Sequence, residues 1–432
     1  MNSDNELQVI KDLLSRIKLG NETDFTLRTP KVPLAIPSFG RDEIIEALDS
    51  LISSQVSMGR KVQQFEAAFA NYIGTKYSVM VNSGSSANLL ALSVLSNPQL
   101  DNSIKPGDEI IVPAVCWSTT ISPIVQIGAV PVVVDIELNS FNIDPTKIEQ
   151  AISPKTKAIM IVHLLGRPCK MDRIIEIARS NGLFLLEDSC EAHGAEFDGK
   201  KVGSFGDISM FSFYVSHHIT TIEGGMVCTN SESYFELAKM LRAHGWVRES
   251  RDKESLSMNY PDIDNRFLFA NLGYNFRPTE IQGAFGIHQL PKLEGFIKLR
   301  DDNAKYWNER LTQYSDFFVL PHEDPHTRMA WFAYPVTLAP HAPFERKELT
   351  ENLEENGIET RPVMSGNITS HPMFKFIHHK VQGYLRNADS LSRQSFLIGN
   401  HQGIGEIERK YVSNCIDNFV SRYKSDENKL PI

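Results

Sequence analysis

Two adjacent histidines, His217 and His218, stand in the stretch SFGDISMFSFYVSHHITTIEGGMV, behind Ser212 and ahead of the turn Glu223-Gly224-Gly225. Imidazoles titrate near neutrality, so one of the pair suits proton transfer, and neighbours on a loop need not both face a pocket. A metal site built from His217, His218, His193 and His163 is the weaker reading, because adjacent residues chelate one ion poorly and no HExxH spacing occurs. In VNSGSSANLLAL, residues Gly84, Ser85 and Ser86 lie between an apolar run and a helical pattern. Backbone N–H groups and hydroxyls there can hold a phosphate, although a serine-rich cap with a turn glycine fits equally well. Trp117 follows PAVC and offers a flat ring for stacking on a cofactor, against the more ordinary use of such an indole in closing a core. Asp188, in FLLEDSCEAHG, ends a very apolar run. Its carboxylate needs a partner, such as a protonated heterocyclic nitrogen, unless the strand end is solvated. His193 either orients that carboxylate or is a structural histidine.

Positioning these groups falls to a largely parallel sheet. Short Ile- and Val-rich runs, YSVMV at 77–81, DEIIVPA, PVVVDI, KAIMIVH and LFLLED, alternate with helical segments such as NLLALSVL at 88–95. Open sheets of this kind bind ligands beyond the carboxyl ends of their strands. Convergence is therefore expected for Asn82 and Ser83, Cys116 and Trp117, Asp135, His163, and Glu187 and Asp188. The spacing predicts an N-terminal helical extension over 1–34, a large cofactor domain over 35–290 and a small α/β domain over 291–432. The last begins with the long helix KLEGFIKLRDDNAKYWNERL and contains the strand WFAYPVTL, the helix KELTENLEENG, an Arg361-Pro362 turn and a late helix from Ile404 to Tyr423. The HHK run at 378–380 reads as a solvated helix end.

Composition excludes several classes. Lys plus Arg number 44 against 53 Asp plus Glu, a net charge of -9, which offers no general attraction to nucleic acid or an anionic membrane. MNSDNELQVIKDLL is not a secretory leader, and no apolar run is long enough to span a bilayer, so a cytoplasmic location is expected. The cysteines Cys116, Cys169, Cys190, Cys228 and Cys415 have no paired spacing, as reduced thiols should.

In their order along residues 35–425, SGSSAN, CWSTT, VVVDI, HLLGRPCKMD, EDSCEAHGA, SFGDISMFSF and LGYNFRPTEIQGA resemble the sugar-nucleotide aminotransferase family. That resemblance implies an α/β architecture of the fold-type I, aspartate-aminotransferase-like kind, binding pyridoxal 5'-phosphate or pyridoxamine 5'-phosphate. Most members carry a cofactor-holding lysine where this chain has His217, a departure shared with the family's C3-dehydratases. A histidine cannot hold the cofactor covalently but can move protons. In one branch of those dehydratases a cysteine cluster near HGW holds a [2Fe-2S] centre. HGWVRESRDKESLSMNYPDIDNRF contains no cysteine, so no iron-sulfur cluster is expected.

Carried over by position, Gly84, Ser85, Ser86 and Ser212 resemble phosphate contacts and Trp117 the stacking ring. Asp188 resembles the partner of the pyridinium nitrogen, and Glu191 stands where many members have glutamine. Asn275 resembles a phosphate contact supplied by the neighbouring subunit of a homodimer, with Arg277 beside it. The implied activity is C3 dehydration of a nucleotide-linked 4-keto-6-deoxyhexose, with GDP-4-keto-6-deoxy-D-mannose favoured and glutamate as the amino donor. Such a reaction serves deoxysugar and O-antigen synthesis. Other readings are an aminotransferase using another lysine, a cluster-free dehydratase of a CDP-hexose, and a regulator without turnover. Lys200 and Lys201, in a polar DGKK turn, read as surface.

Overall fold

The computed structural model describes residues 3–19 and 24–424. Eight strands form one sheet, ordered by their first residues as 77, 225, 208, 184, 156, 109, 130 and 380. The strands at 109–113, 130–134, 156–162, 184–188 and 208–212 run parallel to their neighbours in this group. Gly225–Thr229 enters antiparallel between Tyr77–Val81 and Ile208–Ser212. Glu109–Pro113 and Val130–Val134 are buried at every position, as strands covered by helices on both faces should be. Each fully buried aliphatic side chain contributes ~1.5–3 kcal/mol relative to exposure. Packing on both faces therefore holds these strands, and the loops at their carboxyl ends are free to carry polar groups.

The helix Arg60–Ile73 stops where Gly74 takes φ 86°, a left-handed cap that favours glycine. Gly84–Leu95 starts at Ser83, whose Oγ accepts from the Ser86 N–H at 3.1 Å. The helix Leu293–Leu311 leads to a second, antiparallel sheet of Phe318–Val319, Tyr334–Leu338, Ser395–Ile398 and Thr360–Pro362. Its core of Trp307, Trp331, Tyr334 and Phe396 also takes in Val32, which bridges Ile358.

Two local expectations are corrected. Arg361 and Pro362 lie in a strand paired with Leu397 and Phe396, because Pro362 sits on the sheet edge where it need not donate. Lys380, expected at a helix end, instead opens an edge strand parallel to Val130–Val134, and its Nζ lies 2.6 Å from Glu109.

Candidate active site

The start of the helix Gly84–Leu95 lies against the end of the strand Ile208–Ser212. A Cβ on Gly84 would come within 2.5 Å of Ser212 Cβ and 2.8 Å of Ser212 Oγ, and a Cβ on Gly225 would meet the Ser83 carbonyl at 2.3 Å. Only glycine permits this approach. It brings the N–H groups of the helix's first turn beside the Ser212 hydroxyl, with Ser85 exposed and Ser86 half-buried at the same end. Such a concave end suits a phosphate. Gly84→Ala should push Ser212 out of this cup and weaken binding of pyridoxal phosphate by tenfold or more, about 1.4 kcal/mol. Titration of cofactor absorbance checks it, with the unfolding midpoint as control.

Asp188 ends the strand Phe184–Asp188 and is almost fully buried. Its Oδ2 accepts from Asn88 Nδ2 at 3.1 Å and from Thr120 Oγ1 at 2.9 Å, while Oδ1 accepts a long 3.3 Å contact from the Cys190 N–H, and the Cys190 thiol lies beside the carboxylate. One oxygen is thus fixed by donors and the other is left for a ligand. Asn88 and Thr120 are the residues that sequence reasoning missed. Both lie inside segments already singled out, SGSSAN and CWSTT, one helical turn beyond Gly84 and three residues beyond Trp117. Trp117 does not close the core. It is 56% exposed at the start of the helix Ser118–Gln126, as a ring that covers a ligand would be.

The strand-end residues do not all converge. Side chains alternate along a strand, so Glu187 points away from the face Asp188 occupies. Burial opposes its charge, but the bond from His163 and backbone N–H groups outweigh it and hold the carboxyl below its usual range. Those bonds are His163 Nε2 at 3.1 Å and the N–H groups of Gly203, Phe205 and Gly206 at 2.7 Å each. His163 Nδ1 accepts from the Cys169 N–H at 3.0 Å, which places the ring proton on Nε2. Asp135 accepts from Asn387 and Ala388 N–H groups at 2.9 and 3.0 Å and so caps the helix Arg386–Gln394. His163, Glu187 and Asp135 are structural, and the convergence is that of Asn82 to Ser86, Trp117 and Asp188.

Glu191 is buried and its Oε2 accepts from the Leu165 N–H at 2.8 Å. Burial pushes its carboxyl up to about 8, so at neutral pH it is mainly an acid with an O–H to donate. That protonated form resembles the carboxamide it stands in for. His193 orients nothing on Asp188: its ring sits among Phe69, Phe211 and Phe213, and neither nitrogen has a hydrogen-bond partner.

His217 and His218 divide as expected of neighbours. His218 is fully buried with Nε2 on the Ala330 carbonyl at 2.9 Å. His217 is half-buried between the rings of His193 at 6.0 Å and Phe332 at 5.3 Å, with Nδ1 buried and unpartnered. Burial, and then the charge of Arg300, push its imidazole down to about 3. It therefore stands neutral near neutral pH. Asn275 is exposed, its Oδ1 accepting from Arg277 Nε at 3.0 Å, and the next residue's carbonyl accepts from the Asn82 N–H at 3.0 Å. Lys200 and Lys201 form a short hairpin strand away from this site, with Lys201 paired to Glu196 at 3.3 Å. Among the described residues no group of three His, Cys, Asp or Glu side chains is placed to hold a metal, and no helix is long and apolar enough to cross a membrane.

The chain is 37% identical over 392 residues to dTDP-4-dehydro-2,6-dideoxy-D-glucose 3-dehydratase of Saccharopolyspora spinosa, covering 88% of this chain and 85% of that one. It is 39% identical over 374 residues to GDP-4-keto-6-deoxy-D-mannose 3-dehydratase of Yersinia pseudotuberculosis, covering 86% and 94%. The solved E coli GDP-4-keto-6-deoxy-D-mannose-3-dehydratase with bound hydrated PLP superposes with TM-score 0.82 at 37% identity, over 89% of this chain and 98% of that one. The sheet order, the second antiparallel domain and these superpositions make the architecture that of the fold-type I pyridoxal-phosphate transferases. With residues 37–417 also matching its pattern, the chain belongs to the DegT/DnrJ/EryC1/StrS aminotransferase family.

Proposed function

We propose that this protein is a pyridoxamine-phosphate-dependent sugar-nucleotide 3-dehydratase acting on GDP-4-keto-6-deoxy-D-mannose. The observation that carries the reading is a histidine, His217, at the position where the resemblance to the family places its cofactor-holding lysine. The balance is substrate plus glutamate giving the 4-keto-3,6-dideoxy sugar nucleotide, 2-oxoglutarate and ammonia. Glutamate supplies the two electrons that replace the C3 hydroxyl by hydrogen, so neither iron nor flavin is needed.

When bound, the cofactor supplies an amine for the C4 ketone and a ring that accepts electrons. In this reading the first-turn N–H groups at Gly84 and Ser85, with the hydroxyls of Ser86 and Ser212, hold the phosphate. Trp117 covers the ring. Asp188 Oδ1 keeps the pyridine nitrogen protonated, and Asn88 and Thr120 hold that carboxylate in place. Glu191 donates its O–H beside the ring. With Nδ1 buried, His217 exchanges protons through Nε2: it removes one next to the amine and returns it to the departing hydroxyl, which leaves as water.

A homodimer with shared sites belongs to the same reading. Leu272, 93% exposed, and the exposed Phe267 and Phe269 precede Asn275 on an apolar surface suited to a second copy. A mixture of Asn275→Ala and His217→Asn chains should then regain activity that neither homodimer has. Random pairing leaves one intact site in each mixed dimer, about a quarter of all sites. Absence of recovery in verified mixed dimers would place Asn275 in its own chain's site or outside it.

The deciding experiment incubates the protein with pyridoxal phosphate, glutamate and GDP-4-keto-6-deoxy-D-mannose and weighs the product by mass spectrometry. Loss of one oxygen with release of ammonia supports the reading, and a stable 4-amino sugar makes the protein an aminotransferase. Turnover only with a dTDP- or CDP-linked sugar keeps the chemistry and replaces the nucleotide.

A further inference from the structure

The helix Leu293–Leu311 carries Arg300, which touches none of the groups assigned above to the cofactor. Arg300 is almost wholly buried, and its hydrogen bonds go to backbone carbonyls: Trp331 at 3.1 Å, Phe332 at 2.7 Å, and Asn400. Among the described residues its Nε has no hydrogen-bond partner, and no carboxylate is among its hydrogen-bond or ion-pair partners. A buried cation is usually matched by an anion, because desolvating an unpaired charge is costly. Its charge reaches the imidazoles of His193, His217, His218 and His401, each pushed down by burial first and by Arg300 as well.

The carbonyls it grips belong to a strained segment. Trp331 has φ 51°, a left-handed conformation unusual for a bulky residue, and faces Leu165 at φ 55°. Between them the Phe332 N–H donates to the Leu165 carbonyl at 3.0 Å, and the Ala330 N–H to the Gly166 carbonyl at 2.8 Å. The Phe332 ring then lies 5.3 Å from the His217 ring, and the Ala330 carbonyl takes His218 Nε2. Arg300 thus fixes the backbone that forms one wall of the His217 pocket. The titratable and charged groups facing His217 are His193 from the loop after Asp188, its neighbour His218, and Arg300 from the long helix.

We propose that Arg300 is a positioning residue for His217, its guanidinium holding the Trp331–Phe332 backbone so that the Phe332 ring packs against the imidazole, and bringing a positive charge without a carboxylate partner to that wall of the pocket. The inference rests on the reading of His217 as the proton carrier. A base held neutral by a nearby cation is also a strong acid once protonated, and so returns its proton readily to a departing hydroxyl.

The test is the pH profile of sugar dehydration by the cofactor-loaded enzyme, for wild type, Arg300→Met and Arg300→Lys. Removing the charge should move the acid limb of kcat/KM to higher pH by about one unit, a tenfold rise in proton affinity. Arg300→Lys should leave the limb near its wild-type position even if kcat falls. A folded Arg300→Met enzyme with a wild-type limb overturns the proposal. Should Arg300→Met fail to fold, Arg300→Gln takes its place and histidine-selective NMR reads the His217 midpoint, with the signal identified by its loss in His217→Asn. A midpoint about one unit above wild type is expected, and an unchanged midpoint overturns the proposal. Wild type without dehydration would defeat the functional reading instead, and the NMR midpoint still reports on Arg300.

Discussion

His217→Asn abolishes dehydration while the protein stays folded and still binds pyridoxal phosphate: this is the largest effect expected from any single side chain in the molecule. Asparagine keeps a polar group of similar reach in the slot between His193 and Phe332 but has no nitrogen that can take up and return a proton. General acid–base catalysis contributes about 10²–10⁴ in rate, and here one imidazole both takes and returns the proton. The loss should sit in kcat, because phosphate, ring and carboxylate contacts come from other residues. His217→Lys should also lose dehydration but gain a covalent link to the cofactor, seen as a borohydride-stable mass increase on the peptide carrying residue 217. Retention of the wild-type rate within tenfold in His217→Asn would assign the proton to another group. His218 is the poorer candidate, with its ring buried and Nε2 committed to the Ala330 carbonyl.

The parallel sheet was legible because strands buried on both faces are spelled as continuous Ile and Val runs, whereas nothing in those runs foretold that Gly225–Thr229 enters the sheet antiparallel. Direction is set by which partners a strand meets in space, and local sequence is silent on that. Lys380–Val381 escaped notice for a related reason: a two-residue edge strand has no periodicity, and its place depends on Val132, Val133 and the Glu109 carboxylate far back in the chain.

At the site, the His217-His218 pair, Asp188 and the Gly84 turn stood out as candidates by intrinsic chemistry, each beside a structural alternative, and the choice of His217 came with the family resemblance. The roles of Glu191 and Asn275 came only with the family resemblance. Asn88, Thr120 and Arg300 were missed because each acts through another residue, and an asparagine, a threonine or an arginine in a helix is unremarkable until its partner is known. Glu187 and His163 misled in the opposite sense. Their types promised chemistry, yet strand alternation turns Glu187 to the face opposite Asp188, where His163 and three backbone N–H groups consume it.

Asp188→Asn should retain the fold and lose the chemistry, and the hydrogen-bond pattern says why. Asn88 and Thr120 both donate to Oδ2, so the amide oxygen of an asparagine takes that position and keeps both bonds. Its NH₂ group then occupies the place of Oδ1, where a carboxylate would face a protonated ring nitrogen. An amide there donates to that nitrogen and stabilises its unprotonated form, so the ring loses its capacity to accept electrons. Removing a preorganised electrostatic partner of this kind costs about 10²–10³ in kcat, while the protein contacts disturbed are those of Cys190, the 3.3 Å approach of its N–H and the neighbouring thiol. The unfolding midpoint should therefore move little. Thr120→Val and Asn88→Ala each remove one bond to a charged acceptor, worth about 1.5–3 kcal/mol, and should lower kcat by smaller factors than Asp188→Asn. Rates at saturating cofactor, read beside thermal melts and the pH dependence of the bound cofactor's absorbance, separate these effects. An Asp188→Asn enzyme with wild-type kcat and a still-protonated ring would show that another group holds the proton on the pyridine.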